Sequence, residues 1–508
     1  MFAKVNSIGL FGLMAYTVDV EIVINRGQPM FDLIGLPDAS IKESRERIKS
    51  ALRSVDIVFP VASITVNLAP ANTKKSGSAH DLAILVSLLK AMNYIDANLD
   101  NSIFIGEVSL SGNIRAINGV LSMVIHAKEH GFTSIYVPKD NVIEASVIKG
   151  IDVYGVDSVS QLLNHFNGSS PIEKSYISTP TSIGKDYILD FSDVRGQQSV
   201  KYALEVSACG GHNVLLIGSP GSGKSMLAKR MPSILPPMTF NESIETTKIH
   251  SIAGKLDASH PIVTERPFRS PHHTISASGL VGGGAIPQPG EISLAHNGLL
   301  FLDELAEFDK HTLEILRQPL EEQKITISRV SGTVTYPSQF MLIGAMNPCP
   351  CGYFNHPTRR CTCSNKTVHK YLSKISGPLL DRFDIHVEVA PVEFEDLVSK
   401  TKEESSSSIR QRVIKVRDIQ NERFKGTDIS CNARITPAKL SEFCPITYDA
   451  ETFLKNIFEK TGLSARAYSK ILKIARTIAD MDGLEVIQKS HIAKASRFRS
   501  LDQKYWQV

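Results

Sequence analysis

Residues 218–225, Gly-Ser-Pro-Gly-Ser-Gly-Lys-Ser, have the types and spacing of a phosphate-binding loop. The loop follows an apolar run and precedes a helical pattern, which is the strand–loop–helix context that the motif requires. Its small residues let backbone N–H groups approach the phosphates of a nucleotide, and Lys224 neutralises β- and γ-phosphate oxygens. The hydroxyl of Ser225 is the expected Mg²⁺ ligand. The predicted ligands are therefore ATP and Mg²⁺, and the predicted binding residues are Gly218, Ser219, Pro220, Gly221, Ser222, Gly223, Lys224 and Ser225.

Two carboxylates follow a second apolar strand, in GLLFLDEL at residues 298–305. Ligands of open α/β sheets bind at the carboxyl ends of the strands, where Asp303 and Glu304 stand. Asp303 is predicted to hold Mg²⁺ through water, and Glu304 to polarise the attacking water. A solvated strand end without a catalytic role is the alternative for this pair.

Three further polar residues are candidates for the same reaction. Asn347 ends a third buried strand and is placed to orient the water. Arg382 stands between Asp381 and Asp384, and either acts as an arginine finger on a neighbouring subunit's nucleotide or pairs with these aspartates. Arg466 lies in the first turn of a capped helix, where it either reaches the γ-phosphate from a lid or is a solvated arginine.

Four cysteines lie within residues 349–363, which we call the cysteine insert. Cys349, Cys351, Cys361 and Cys363 form two C-x-C pairs separated by nine residues. Four thiolates that converge across a short loop make a tetrahedral structural zinc site, with His356 as a possible substitute ligand. Free cysteines in a small loop are the alternative.

The composition is that of an ordinary globular protein, and 508 residues are enough for about three domains. The net charge of +4 is too small to indicate a polyanionic partner by itself, so any such case depends on local patches. The apolar start of the chain runs into a strand pattern without a cleavage site, and no apolar run of about eighteen residues occurs. A cytoplasmic protein without a membrane segment is predicted.

The pattern of elements divides the chain into a mixed α/β front domain, a linker, an α/β core and a helical end. Their predicted bounds are 1–165 for the front domain, 166–190 for the linker, 191–392 for the core, 393–430 for a connecting segment with a basic helix, and 431–508 for the all-α lid. Within the core, residues 324–337 alternate apolar and polar residues on both sides of Ser331-Gly332, which predicts a β-hairpin.

The order of these motifs resembles that of the AAA+ ATPases. The stretch RPFRSPHHTISASGLVGGGAIPQPGEISLAHNGLLFLDEL at residues 266–305 resembles the magnesium-chelatase-like branch, and more closely the ComM family, also called YifB, of competence helicases. The resemblance implies the Walker A, Walker B, sensor 1, arginine-finger and sensor 2 roles for Lys224, Asp303 with Glu304, Asn347, Arg382 and Arg466. A finger that acts between subunits implies a homo-oligomeric ring, expected to be a hexamer.

In this branch two hairpins point into the pore of the ring. Residues 324–337 stand where the first is expected, and residues 279–290 match the second. Positive side chains there are suited to the phosphates of DNA, although packing between subunits is the alternative. The candidate DNA contacts are Lys324, Arg329, Arg266 and Arg269, with His272 and His273 nearby.

The front domain resembles the proteolytic domain of Lon. Lon needs a serine nucleophile and a lysine base, but the corresponding positions hold Ala79 and Leu121, with Ser78 one residue away. A non-proteolytic Lon-like module is therefore predicted, which binds DNA or helps to build the ring.

The resemblance implies an ATP-driven motor that branch-migrates single-stranded or branched DNA in homologous recombination, notably in natural transformation. Recombination proteins are possible partners of such a motor. Two alternatives remain open: the motor subunit of a chelatase that inserts Mg²⁺ into a tetrapyrrole, and an ATP-driven factor that remodels proteins.

Overall fold

A computed structural model describes the chain at residues 1–175, 189–256, 260–284, 287–330, 332–392, 403–461 and 464–506, without the side chains of 461, 502 and 503. Over these ranges the predicted α/β architecture with a helical C-terminal region is confirmed. Residues 176–188 of the predicted linker and residues 393–402 of the predicted connecting segment lie outside the described residues.

The front domain is built on an eight-stranded mixed sheet in the order β10-β9-β8-β5-β1-β2-β4-β3. Its strands are β1 Phe2–Phe11, β2 Met14–Asn25, β3 Met30–Ile34, β4 Ser63–Ala69, β5 Ser102–Phe104, β6 Glu107–Val108, β7 Ile114–Arg115, β8 Ser134–Pro138, β9 Asp152–Val156 and β10 Lys174–Ser175, of which β6 and β7 form a separate ribbon. Its helices are α1 Ala39–Lys42, α2 Ser44–Arg53, α3 Asp81–Ala91, α4 Val120–Glu129, α5 Val142–Ala145 and α6 Val159–Phe166.

The sheet of the front domain continues past the predicted end at residue 165. Strand β10 pairs antiparallel with β9, and Lys174 Nζ lies 2.5 Å from the Asp152 carboxylate across that pair. The linker therefore begins later than the Ser-rich composition from residue 166 predicted, because a two-residue edge strand has no recognisable periodicity.

The core is a five-stranded parallel sheet in the order β12-β15-β18-β11-β19. Its strands are β11 Val214–Gly218, β12 Phe268–Arg269, β15 Gly298–Leu302, β18 Phe340–Met346 and β19 Ile385–Val389, and two ribbons add β13 Gly282–Gly283 with β14 Gln288–Pro289 and β16 Lys324–Arg329 with β17 Gly332–Pro337. Strands β11, β15 and β18 are buried along their whole length, as expected of parallel strands covered on both faces.

Helices cover this sheet on both faces and continue into the C-terminal region. The core helices are α7 Gln198–Gly210, α8 Lys224–Ile234, α9 Phe240–Ile252, α10 Ala277–Val281, α11 Glu291–Leu294, α12 Lys310–Ile315, α13 Arg317–Glu322, α14 Asn365–Leu372 and α15 Gly377–Leu380. The C-terminal helices are α16 Ser406–Arg423, α17 Leu440–Phe443, α18 Tyr448–Thr461, α19 Ala465–Met481, α20 Lys489–Arg497 and α21 Leu501–Trp506.

Helix α19 organises the lid, as its sequence pattern predicts. The Ser464 hydroxyl accepts a hydrogen bond from the Ala467 N–H and caps the helix. Ile471, Ala475 and Ile478 are fully buried and share one hydrophobic cluster with α7, α8 and α16. The lid therefore packs on the core through a continuous apolar interface.

The front domain packs directly against the core. The Gly119 N–H donates to the Ser251 hydroxyl, which donates to the buried Glu144 carboxylate at 2.5 Å. Elsewhere the β1–β2 turn meets the tip of the β16–β17 hairpin, where a Cβ on Gly332 would lie 2.5 Å from the Phe11 ring. Both contacts fix the front domain beside the elements of the candidate site.

No helix in the described part of the chain is long and apolar enough to cross a membrane.

Candidate active site

The phosphate-binding loop leaves the carboxyl end of β11 and leads into α8. Gly221 and Gly223 have φ values of +77° and +95°, a left-handed conformation that glycine adopts without a steric penalty. Because this conformation curls the loop over the start of α8, its N–H groups can surround an anion at the helix N-terminus. The predicted loop therefore has the backbone geometry that its motif requires.

The Lys224 ammonium group is held inside this loop by three oxygen acceptors. It donates to the carbonyls of Gly218 at 2.7 Å and Ser219 at 2.9 Å, and to Asn347 Oδ1 at 3.1 Å. Burial lowers the pKa of Lys224 to about 8. The contact with Asn347 brings two predicted site residues together from strands β11 and β18.

The predicted Mg²⁺ ligands also meet. The Ser225 hydroxyl donates to Asp303 Oδ2 at 2.6 Å, so one hydroxyl and one carboxylate converge at the carboxyl edge of the sheet. Oxygen donors are the ligands that Mg²⁺ prefers, so these two residues would hold it.

Glu304 has a neighbour that the sequence did not indicate. Its backbone adopts φ 52° and ψ 46°, a strained conformation of the kind found at functional sites. His273 Nδ1 lies 3.3 Å from its carboxylate, and the His273 ring packs near His272 and Phe308. No spacing rule could have found this contact, because it joins the segment after β12 to the end of β15.

Arg382 lies at the opposite edge of the sheet from the phosphate-binding loop. Its carbonyl accepts a hydrogen bond from the Asn213 side chain at 2.9 Å, and Asn213 directly precedes β11. The loop begins at the other end of that strand, about 13 Å away at the usual rise per residue. The Arg382 guanidinium pairs with Glu321, not with Asp381 or Asp384 as the alternative proposed.

Arg466 lies beside Arg382, not beside the phosphate-binding loop. Its guanidinium is 3.6 Å from Asp381 Oδ2, and the pKa of Arg382 is lowered by burial and then by the Arg466 charge. That Arg466 reaches a γ-phosphate from the lid stays a prediction, and its position beside Asp381 is not that of the loop of its own chain. The lid packs against the amino edge of the sheet, so both arginines point away from the nucleotide site of their own chain.

Lys470 secures the turn that carries Arg382. Its ammonium group donates to the Asp381 carbonyl and, at 2.9 Å, to the Phe383 carbonyl, the two residues that flank Arg382. Lys470 lies in lid helix α19, one turn after Arg466. These hydrogen bonds therefore connect the lid to the turn that carries the predicted finger.

The four cysteines of the insert converge. All four Sγ atoms lie within 4.8 Å of one another, and the Cys349, Cys351 and Cys361 sulfurs are 3.3 to 3.7 Å apart. The four are free cysteines, and this donor set fits a tetrahedral zinc site. His356 is not among the residues whose ligand atoms converge here, and its Nδ1 accepts from the backbone N–H groups of Thr358 and Arg359.

The predicted hairpin at residues 324–337 is confirmed as β16 and β17, paired from Lys324 to Pro337. Its apolar face is buried, with Tyr336 donating to the Pro287 carbonyl beside the second, smaller hairpin. Its other face is exposed and carries Lys324 at one end, whereas Arg329, also exposed, follows Ile325 and Ile327 on the opposite face and lies near Gly283.

Arg266 and Arg269 are engaged inside the protein. Arg266 donates to both Glu242 carboxylate oxygens at 3.1 Å and to nearby carbonyls, and Arg269 forms two bonds of 2.6 and 2.7 Å with Glu291. Both guanidinium groups are therefore anchored by carboxylates of their own chain, and their role as DNA contacts stays a prediction.

The Lon-like positions lack a serine–lysine dyad in this structure. Ser78 contacts the Glu107 carboxylate, Leu121 is buried in α4, and Lys75 donates to the Pro70 carbonyl.

The fold and this site define a P-loop ATPase of the AAA+ class. Three family models match the chain. The model described as magnesium chelatase, subunit ChlI, matches residues 190–397, and the model described as subunit ChlI of Mg-chelatase matches residues 20–141. The model of the C-terminal part of magnesium chelatase subunit ChlI matches residues 403–499. The uncharacterized protein YifB of Salmonella typhimurium is 39% identical over 99% of this chain and 97% of its own length. The competence protein ComM of Haemophilus influenzae is 39% identical over 98% and 97%, whereas the chelatase subunit ChlI of Mesostigma viride is 24% identical over 43% and 61%. The chain belongs to the ComM/YifB family of Mg-chelatase-like AAA+ ATPases.

Proposed function

We propose that this ATPase forms a homo-oligomeric ring, most simply a hexamer, and that ATP hydrolysis between its subunits drives branch migration of DNA during homologous recombination. In this proposal Lys224, Ser225, Asp303, Glu304 and Asn347 act on one side of each nucleotide. Arg382 and Arg466 act on it from the neighbouring copy. Single-stranded or branched DNA passes through the pore of the ring.

One observation carries the proposal: the two arginines stand at the amino edge of the sheet, and the phosphate-binding loop stands at its carboxyl edge. In a single copy, neither of these two arginines can therefore stabilise the transition-state charge from the far side of the γ-phosphate. A heterologous, head-to-tail contact repeated around a closed ring completes every site.

DNA as the substrate is supported by the exposed face of the β16–β17 hairpin and by the relatives. Lys324 lies on this face with four hydroxyl side chains, and the exposed Arg329 lies near the tip of the hairpin on its opposite face. Such groups are suited to phosphate contacts without base recognition. The printed name of the Haemophilus influenzae relative, competence protein ComM, supports a role in natural transformation. Recombination proteins are the expected partners, and the cytoplasm, where ATP and reduced cysteines occur, is the expected location.

The direct test of this function is a branch-migration assay on a synthetic four-way DNA junction. The intact protein should separate the junction with ATP, and Lys224→Ala should leave it intact because the phosphates lose their cation. A protein that hydrolyses ATP but never moves the junction, with no acceleration by single-stranded or branched DNA, would refute the DNA assignment.

A charge reversal tests the role of the hairpin. Lys324→Glu combined with Arg329→Glu should abolish the stimulation of ATP turnover by DNA and leave basal turnover within about twofold, because the ATP site is untouched. The matched control is Thr326→Ala with Thr335→Ala, an exposed neutral pair on the face that carries Lys324. If DNA still stimulates ATP turnover after the charge reversal, the hairpin does not contact DNA through these two residues.

We also propose that the cysteine insert holds one structural Zn²⁺, with Cys349, Cys351, Cys361 and Cys363 as ligands. The ion would supply cross-linking of a short loop that has little core of its own. Metal analysis of the purified protein should find about one zinc per chain, and Cys361→Ser with Cys363→Ser should lose it. Protein that is folded and active without bound metal would contradict the assignment.

The description of the matching family models favours a second candidate, the motor subunit of a metal chelatase. The identity of 24% over 43% of the chain to a named chelatase subunit is a much weaker likeness than that to YifB and ComM. ATP turnover that responds to a porphyrin and not to DNA would favour this candidate. Turnover that responds to neither would favour a factor that remodels proteins.

A further inference from the structure

The cysteine insert lies directly on the phosphate-binding loop. A Cβ added to Gly352 would come within 2.3 Å of the Pro220 ring, so these two segments touch without space for a side chain. Next to this contact is a cavity of about 490 Å³ that both segments line. The loop supplies Ser219–Gly223, and the insert supplies Tyr353, His356, Thr358 and Arg359.

Arg359 is held at this cavity by its own segment. Its guanidinium donates to the Tyr353 hydroxyl at 2.8 Å and lies 5.2 Å from the centre of the Tyr353 ring. His356 Nδ1 accepts the backbone N–H groups of Thr358 at 3.2 Å and Arg359 at 3.0 Å, which closes the turn. The arginine is therefore preorganised and still exposed, which lowers the entropic cost of binding a ligand.

The charge of the cavity selects an anion. Among the described residues that line it there is no carboxylate, and Arg359 is the one lysine or arginine. The phosphate-binding loop contributes backbone N–H groups to the same space. An arginine with free N–H donors opposite such a loop matches the geometry of phosphate oxygens.

We propose that the cysteine insert forms a wall of the nucleotide site and that Arg359 binds a phosphate of the nucleotide held by the loop of its own chain. This inference rests on the proposed ATP site and adds a residue that neither the ATPase motifs nor the zinc pattern includes. Tyr353 is a positioning residue, because it orients the Arg359 guanidinium and does not itself bind the nucleotide. The insert then couples its own folding to nucleotide affinity.

The test compares two neighbouring arginines of the insert. Arg359→Ala should weaken the binding of a fluorescent ADP derivative to the full-length protein by about tenfold, the usual effect of losing one charge-assisted hydrogen bond. The matched control Arg360→Ala removes an exposed cation that does not line the cavity, and its affinity should stay within about twofold of the intact protein. In steady state, Arg359→Ala should raise KM for ATP and change kcat little.

Further measurements separate a direct contact from a structural effect. Tyr353→Phe keeps the ring but removes the hydroxyl that orients the guanidinium, so it should weaken ADP binding by a smaller factor, about threefold. Adenosine, which has no phosphate, should bind Arg359→Ala and the intact protein equally, and the content of reactive thiols should be the same in both. Equal ADP affinity of the two proteins, or an equal loss for adenosine, would overturn the inference. If the intact protein itself fails to bind ADP, the proposed ATP site fails instead.

Discussion

At the residue scale, Lys224 has a positive charge that its surroundings only partly support. Two carbonyls and one amide oxygen surround its ammonium group, and burial lowers its pKa to about 8. Asp303 and Glu304 only partly offset the effect of burial, and phosphate oxygens would add further negative charge. Binding of nucleotide should therefore restore the pKa of Lys224 toward its ordinary value.

This shift predicts that nucleotide binding takes up a proton at alkaline pH. Below pH 8 the lysine is already charged in the free protein, and above pH 8 it gains its proton only when phosphate binds. Calorimetry of MgADP binding in buffers of different ionisation enthalpy should give an uptake that rises from about 0.1 proton at pH 7 to about 0.9 at pH 9. Lys224→Arg, which stays charged, should remove this rise, and the same rise in that variant would exclude Lys224 as its source.

The contact between His273 and Glu304 predicts a restraint on the catalytic base. A carboxylate that lies 3.3 Å from an imidazole nitrogen is less available to accept a proton from water. His273→Ala should therefore raise basal ATP turnover by about twofold to fivefold and reduce the ratio of DNA-stimulated to basal turnover.

The neighbouring His272 is the matched control for this substitution. It bonds Thr274 and makes no described ion pair with Glu304, so His272→Ala should leave the ratio unchanged. Basal and stimulated turnover that fall together in His273→Ala would show that the histidine assists the reaction and does not restrain it.

The residues of the ATP site could be predicted because their motifs are local in the sequence. Lys224 and Ser225 follow from one loop, and Asp303 follows from the end of one apolar strand. His273 and Arg359 could not, because their partners come from other segments and the pairing depends on the folded loops. The ion pair of Arg269 could not be predicted for the same reason, since its partner Glu291 lies beyond a ribbon and a helix.

At the element scale, helix α19 connects the lid to the turn that carries Arg382. Lys470 donates to both carbonyls that flank the arginine, and burial lowers the pKa of Lys470 to about 8. A rotation of the lid would therefore move Arg382 with it.

This connection predicts that Lys470→Met lowers kcat by about tenfold with little change in KM, since a finger contributes mainly in the transition state. Lys470→Arg retains a charged donor and should recover most of the turnover. Lys473→Met is the matched control, because Lys473 also donates from α19 to a backbone carbonyl, that of Ala433, away from the Arg382 turn. An equal loss of kcat in Lys473→Met would show that the loss in Lys470→Met comes from a less stable lid and not from the Arg382 turn.

The elements with a strong period could be predicted from the sequence. The β16–β17 hairpin and helix α19 appear where alternation and a 3.6-residue period indicate them. The sequence could not predict the edge of the sheet against which α19 packs, because the same apolar face would fit either edge. That choice places Arg466 beside Asp381 and away from Lys224.

At the scale of the whole molecule, each chain carries two separate groups of predicted catalytic residues, which the proposed ring would join. The group with Lys224 and Glu304 stands at one edge of the core sheet, and the group with Arg382 and Arg466 stands at the other. A ring repeats one contact and joins unlike groups at every interface. In the proposed ring cooperative turnover is expected, because each lid would respond to its neighbour's nucleotide through Arg382.

A mixture of two inactive variants tests this central claim most directly. Glu304→Gln removes the base from one group, and Arg382→Ala removes the finger from the other. Neither variant alone should hydrolyse ATP. In an equal mixture allowed to exchange subunits, about a quarter of the interfaces join two intact groups, so about a quarter of the intact protein's turnover should return. A mixture that remains as inactive as its components, while the two chains demonstrably share rings, would contradict a site built between subunits.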